Sequence, residues 1–135
     1  MVPEGNEEIV AEVDAAPLNE LIDARDWDRV RLVKIDVEGA EAGVVQGLSS
    51  LIAKGRQDRE LLIKVHPAQL QQLGRTVEDV LAPFLAVGYH AYTIGNDYDP
   101  DCYLNRTVPA KPQRMQAAIE GDTNIILSRE DRSEL

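Results

Sequence analysis

Acidic residues follow an apolar run in the first half of the chain. The run LVKI at residues 32–35 leads directly into Asp36, and Glu38 and Glu41 come shortly after it. The apolar residues predict a buried strand over residues 30–37, and the pattern that follows predicts a helix. In open α/β sheets, ligands bind beside the carboxyl ends of the strands. Asp36 is therefore a candidate to orient a substrate hydroxyl or to help remove its proton.

The same residues also have a structural interpretation. Asp36 could cap the start of the following helix, where backbone N–H groups are free. Glu38 and Glu41 would lie in the first helical turn, where the helix dipole favours carboxylates. Gly39 would permit a tight turn or a close backbone approach that a side chain would block. The residue types alone leave both interpretations open.

A second candidate base is His66. It follows the apolar segment ELLIKV at residues 60–65, which predicts a second strand. A histidine there would face the same rim as Asp36 and could act as a base near neutral pH. The structural alternative is a strand-end histidine that is hydrogen-bonded to the backbone. The other histidine, His90, begins a later strand and is predicted to be structural.

The segment GNDYDPD at residues 95–101 carries three alternating aspartates. The spacing of Asp97, Asp99 and Asp101 is similar to the start of a calcium loop, but the glycine and the bidentate glutamate of such a loop are missing. We therefore assign no metal site and expect a solvated loop over the cleft. Within this loop, Tyr98 is a candidate to contact a substrate.

Composition narrows the class of protein. The chain has 135 residues, 44% of them hydrophobic, and a formal net charge of −10. This length suits a single domain, 1–135, in which the polar residues 1–8 are expected to be disordered. The negative charge argues against nucleic acid and anionic membranes as partners. The single cysteine and the lack of a secretory pattern at the start favour the cytoplasm.

Strand and helix patterns alternate along the chain. This alternation predicts βαβ units, and hence an α/β fold with a mostly parallel, partial Rossmann-like sheet and helices on both faces. The last two strands are joined by a long polar segment and are expected to form an antiparallel pair at one edge. Strands are predicted at 9–13, 30–37, 60–65, 89–94 and 124–128, and helices at 17–25, 40–53, 76–87 and 113–119.

The amino-acid sequence of several segments resembles that of the FkbM-type family of S-adenosylmethionine-dependent methyltransferases. The segments are KIDVEGAE at 34–41, LIKVHP at 62–67, VGY at 87–89 and NIIL at 124–127. The resemblance implies a class I methyltransferase fold, S-adenosylmethionine as cofactor, and a small-molecule acceptor. The expected reaction is O-methylation of a sugar or secondary-metabolite hydroxyl. Asp36 and His66 would be catalytic, and Glu38, Gly39, Glu41 and Tyr98 would line the cleft.

The resemblance covers only the C-terminal half of the family domain. The Gly-rich turn that holds the cofactor has no counterpart, since Gly39, Gly47, Gly55 and Gly74 are isolated. We therefore expect a truncated enzyme in which strand 30–37 is a sheet edge, covered by a missing N-terminal half or by a second copy. The alternative is a non-catalytic remnant or interaction module that pairs through this edge.

Overall fold

The computed structural model describes residues 11–95, Leu104 and residues 111–131. Within this part of the chain, no helix has the length and apolar composition needed to cross a bilayer. The helices are α1 Leu18–Leu21, α2 Ala24–Trp27, α3 Glu41–Ile52, α4 Pro67–Gln72 and α5 Val77–Leu85, and the strands are β1 Leu32–Ile35, β2 Glu60–Val65, β3 His90–Ile94, β4 Gln113–Arg114 and β5 Thr123–Ser128.

The strands form one open sheet in the order β1-β2-β5-β3-β4. β1 and β2 are parallel, whereas β5 is antiparallel to both β2 and β3, and β4 is antiparallel to β3. β1, β2 and β3 thus run in one direction, but the expected mostly parallel pairing is not confirmed. The predicted antiparallel pair of β3 and β5 is present, although β5 lies inside the sheet. A crossover helix makes neighbouring strands parallel, and none precedes β5 in residues 115–122.

The helices share a core with one face of the sheet. Because side chains alternate along a strand, one face carries Ile35 of β1, Leu61 and Ile63 of β2, and Ile125 of β5. These side chains join a buried cluster with helix residues such as Leu48 and Phe84. Helices on both faces were expected, but in the described part both crossovers, α3 and α4–α5, contribute to this one core. The opposite face carries half-buried or exposed residues such as Leu32, Leu62 and Ile126.

Several helices differ from their predicted form. The helix expected at 17–25 is split into α1 and α2, and Asp23 caps α2 by accepting a hydrogen bond from the Arg25 backbone. α4 was not predicted; it begins directly after His66, with Pro67 in its first turn. The expected helix at 113–119 is absent; residues 113–114 form the short strand β4, and residues 115–119 are irregular. The strand expected at 9–13 is irregular over residues 11–13.

α5 forms as its sequence predicts. Thr76 and Asp79 make a reciprocal capping box at its start, and Pro83 lies inside the helix. The apolar face that the sequence predicts for this helix includes Val80, Phe84 and Leu85; Val80 and Phe84 are fully buried, whereas Leu85 is 48% exposed. Local capping and helical periodicity therefore agree here with the tertiary packing.

Side chains hold the carboxyl end of α3, where backbone carbonyls lack partners within the helix. Trp27 donates its indole N–H to the Leu51 carbonyl, 3.2 Å away, and Arg129 donates to the Ile52 carbonyl at 3.0 Å. Arg59, which is 1% exposed, donates to the carbonyls of Lys54, Val30 and Trp27. Its guanidinium also lies 3.9 Å from the centroid of the Trp27 ring.

We expect Arg59→Met to lower the free energy of unfolding by roughly 3 kcal/mol, because it leaves three carbonyls without their donor and removes a buried cation–π contact. Urea denaturation measures this loss. Arg56→Met is the matched control, since Arg56 makes an exposed ion pair with Asp58. Equal midpoints for the two variants would contradict this role of Arg59.

Candidate active site

The parallel pairing of β1 and β2 brings their carboxyl ends together. Leu32 is paired with Glu60 and Ile35 with Ile63, so the segment after Ile35 lies beside the segment after Val65. The chain turns tightly between β1 and α3, with positive φ angles of 47° at Glu38 and 103° at Gly39. A non-glycine residue rarely adopts this conformation, and such strain is concentrated at functional sites.

A buried carboxylate–imidazole pair lies at this end of the sheet. Glu41 Oε1 is 2.7 Å from His66 Nδ1, and the two side chains are 0% and 3% exposed. The same oxygen accepts the backbone N–H of Gly39 at 2.9 Å. Glu41 Oε2 is also buried and has no hydrogen-bond partner among the described residues. Glu41 therefore connects the turn after β1 to the residue that follows β2.

Gly39 packs closely against α4. A Cβ atom at this position would lie 2.6 Å from Cβ of Gln69, which is shorter than any normal contact. Its backbone N–H is already bonded to Glu41. The turn thus needs glycine for its conformation and for its packing, and the Gly39 N–H is already engaged within the protein.

Asp36 lies at the same end of the sheet but points into solvent. Its carboxylate is 35% exposed and accepts a hydrogen bond from Lys34 Nζ at 2.8 Å. This bond lowers the pKa of Asp36, and the positive charges of Lys34 and Lys64 contribute in the same direction. Asp36 is therefore ionised at neutral pH, and its lowered pKa makes it a weak base.

A hollow of about 420 Å³ adjoins Asp36 on the sheet face opposite the helical core. Its floor is largely apolar, and its polar groups extend from Glu60, at the amino end of β2, to Asp36, just beyond the carboxyl end of β1. A floor of this kind suits a partly apolar molecule that presents a hydroxyl to Asp36. The lining includes Leu32, Leu62, Ile94 and Ile126, together with Lys34, Asp36 and Asn124.

The structure brings together most of the residues singled out from the sequence. Asp36, Glu38, Gly39, Glu41 and His66 all lie at the adjoining carboxyl ends of β1 and β2. Tyr98 and the aspartates 97, 99 and 101 lie outside the described residues.

The contact between Glu41 and His66 was not foreseen, although both residues were expected at this rim. A histidine and a glutamate that follow neighbouring strands of one βαβ unit are the signal that could have revealed it. Gln69 was also missed, because it belongs to the unpredicted helix α4. His90, predicted to be structural, lies at the other end of the sheet, with Nδ1 2.8 Å from Arg114 Nη2.

Comparison with known protein families identifies the family of this chain. A family model described as the methyltransferase FkbM domain matches residues 2–91, which is more than half of the chain. This span contains β1, α3, β2, α4 and α5, and hence the whole carboxylate–imidazole pair. Neither the curated proteins nor the solved structures give a significant match.

Methyltransferases of this family use S-adenosylmethionine in general, and a site for it would need backbone groups that are free to contact the cofactor. The turn at residues 38–40 is the only one that follows a described parallel strand and precedes a long helix. Gln69 closes it sterically, and Glu41 occupies the N–H of Gly39. The described residues therefore do not form a complete binding site for this cofactor.

Lys34→Met should raise the pKa of Asp36 towards its ordinary value of 3.8, because the hydrogen bond from Lys34 is the largest cause of its lowering. A carboxyl-carbon NMR titration of the full chain measures this change. Asp58 serves as the internal reference, since Arg56 lowers its pKa to about 2 from a different position. An unchanged Asp36 titration would show that Lys34 does not control this carboxylate.

Proposed function

We propose that this chain, which belongs to the FkbM methyltransferase domain family, takes part in S-adenosylmethionine-dependent O-methylation of a small molecule. The acceptor would be a hydroxyl of a sugar or a secondary metabolite. The observation that carries the proposal is the buried Glu41–His66 pair beside the ionised Asp36, at the strand ends where α/β enzymes bind ligands.

The two candidate catalytic residues suit different tasks. Methylation of a hydroxyl requires positioning of the acceptor and removal of its proton. Asp36 is exposed and ionised, so its carboxylate can accept a hydrogen bond from the acceptor hydroxyl and orient it. His66 has its Nδ1 engaged by Glu41, so proton transfer would use its other ring nitrogen, Nε2. We therefore assign orientation to Asp36 and proton removal to His66.

S-adenosylmethionine would supply the methyl group. Because the described residues form only part of the surroundings that it needs, its binding would require residues outside the described part or a second copy of the chain. A nearby carboxylate would attract the positively charged sulfonium of the cofactor and so strengthen its binding. Asp36 is the ionised carboxylate at this end of β1.

Calorimetric titration of the full chain with S-adenosylmethionine tests the proposal. We expect saturable binding that Asp36→Asn weakens by about tenfold, which corresponds to about 1.4 kcal/mol. Asp58→Asn is the matched control, because Asp58 is an exposed aspartate that precedes β2 at the opposite end of the sheet. Binding by the wild type and by this control should be equal.

Absence of binding at millimolar S-adenosylmethionine would contradict the proposed function and favour a second candidate. In that candidate, the chain is an interaction module that pairs with a second copy through β1. β1 ends the described sheet, and Leu32 is 61% exposed. An unpaired hydrophobic edge strand is a template for pairing with another strand.

The register of β1 identifies which backbone groups face this edge. The Arg31 carbonyl accepts from the Glu60 backbone, so Arg31 faces β2. A residue's N–H and C=O point to the same side of a strand, and the side alternates along it. The N–H groups of Leu32 and Lys34 therefore point away from β2.

Leu32→Pro should abolish self-association of this kind, because it removes an outward N–H while preserving the ladder to β2. Leu32→Ala is the matched control, since it shortens the side chain but keeps the N–H. Sedimentation velocity across a concentration series measures the association. A wild type that stays monomeric throughout the series would eliminate the second candidate.

A further inference from the structure

The two histidines of the chain have opposite hydrogen-bonding environments at Nδ1. In His66 this atom faces a carboxylate oxygen of Glu41 at 2.7 Å. In His90 it faces Nη2 of Arg114 at 2.8 Å. A guanidinium can only donate, whereas an ionised carboxylate can only accept. His90 Nδ1 must therefore be an acceptor, while His66 Nδ1 is set up to donate.

The Gly39 backbone supports the same direction for the bond at His66. Glu41 Oε1 also accepts the Gly39 N–H at 2.9 Å, so a second donor faces this oxygen, as the two lone pairs of a carboxylate oxygen allow. Its remaining lone pair is directed to His66, and Nδ1 must supply the hydrogen. When the ring is neutral, this leaves the lone pair on Nε2.

We propose that Glu41 is a positioning residue that fixes the tautomer of His66, so that Nε2 is the basic atom of the site. The inference rests on the proposed function for the identity of the acceptor, but not for the tautomer itself. The proton would pass from the acceptor hydroxyl to Nε2, and the electron pair of the broken O–H bond would stay on oxygen. The resulting positive ring would then lie against the Glu41 carboxylate.

The cost of this arrangement indicates that it serves more than stability. Burying a carboxylate is expensive unless its lone pairs are satisfied, and a buried ion pair is often no more stable than an apolar replacement. Glu41 is 0% exposed, yet its Oε2 has no partner among the described residues. The turn that supplies the second donor also holds Glu38, a non-glycine residue, at a positive φ of 47°. Orientation of His66 is a function that would explain why this energetically unfavourable arrangement is present.

Two-bond ¹⁵N–¹H NMR correlation on the full chain, at a pH where both rings are neutral, tests the inference without any cofactor. We expect His66 to be protonated at Nδ1 and His90 at Nε2. His90 thus provides an internal reference of opposite tautomer. A wild-type His66 that is protonated at Nε2 would overturn the proposal.

Variants of Glu41 test the cause of the tautomer. Glu41→Gln keeps an acceptor oxygen and should retain the Nδ1-protonated form of His66. Glu41→Leu removes both acceptors and should shift His66 towards the Nε2-protonated form, while His90 is unchanged. If Glu41→Leu leaves the His66 tautomer unchanged, Glu41 does not position the ring. If that variant does not fold, the wild-type tautomer and the Glu41→Gln spectrum still decide the question.

The outcomes separate this inference from the proposed function. An Nδ1-protonated His66 in a chain that binds no S-adenosylmethionine would support the positioning role and contradict the proposed function. Saturable cofactor binding with an Nε2-protonated His66 would support the proposed function and contradict the positioning role of Glu41. Each result is obtained from the full chain and does not depend on knowledge of the acceptor.

Discussion

The parallel pairing of β1 with β2 is the constraint on which the site depends. Its register, Leu32 with Glu60 through Ile35 with Ile63, brings the two carboxyl ends together and closes α3 over one face. Glu41 and His66 are 25 residues apart in sequence, and it is this register that brings them into contact. The long crossover that parallel strands require is supplied by α3, and its first residue is Glu41.

Two buried charges mark the opposite ends of this βαβ unit, and they are satisfied to different degrees. Arg59, just before β2, meets three backbone carbonyls and the face of Trp27, so it holds the carboxyl end of α3 to the preceding segment. Glu41, at the start of α3, has one oxygen doubly engaged, and its other oxygen has no partner in the described part of the chain. Arg59 thus has a structural role that its contacts fully explain, while incomplete satisfaction is typical of functional sites.

The sequence predicted best those elements whose local signals agree with their tertiary context. β2 is a continuous apolar run and was predicted with its observed bounds, and α5 begins at a capping box. The FkbM family was also recognised from the amino-acid sequence around β1, and the family model confirms it. Where local signals were weak, prediction failed: α1 and α2 read as one helix because Asp23 did not stand out as a second cap.

The remaining differences come from interactions that are distant in sequence. Periodicity cannot show that β5 inserts between β2 and β3, so it cannot distinguish an interior antiparallel strand from an edge. Periodicity also cannot show whether helices cover one face of the sheet or both, because this depends on which face each crossover passes over. The positions of Asp36 and His66 could be inferred from strand ends. The bond between Glu41 and His66 depends on the turn at Gly39, whose close packing against Gln69 has no sequence signature.

The balance of protons favours His66 over Asp36 as the base of the proposed reaction. Methyl transfer to a hydroxyl releases one proton in every turnover, so the base must take up a proton and then return it to solvent. Asp36 is open to solvent but is a weak base, because Lys34 lowers its pKa. His66 is 3% exposed, and its Nδ1 is held by Glu41, so Nε2 must serve both for uptake and for release. A base with a single available atom returns its proton along the path by which the acceptor arrives. Product departure and regeneration of the base would therefore be coupled at this site.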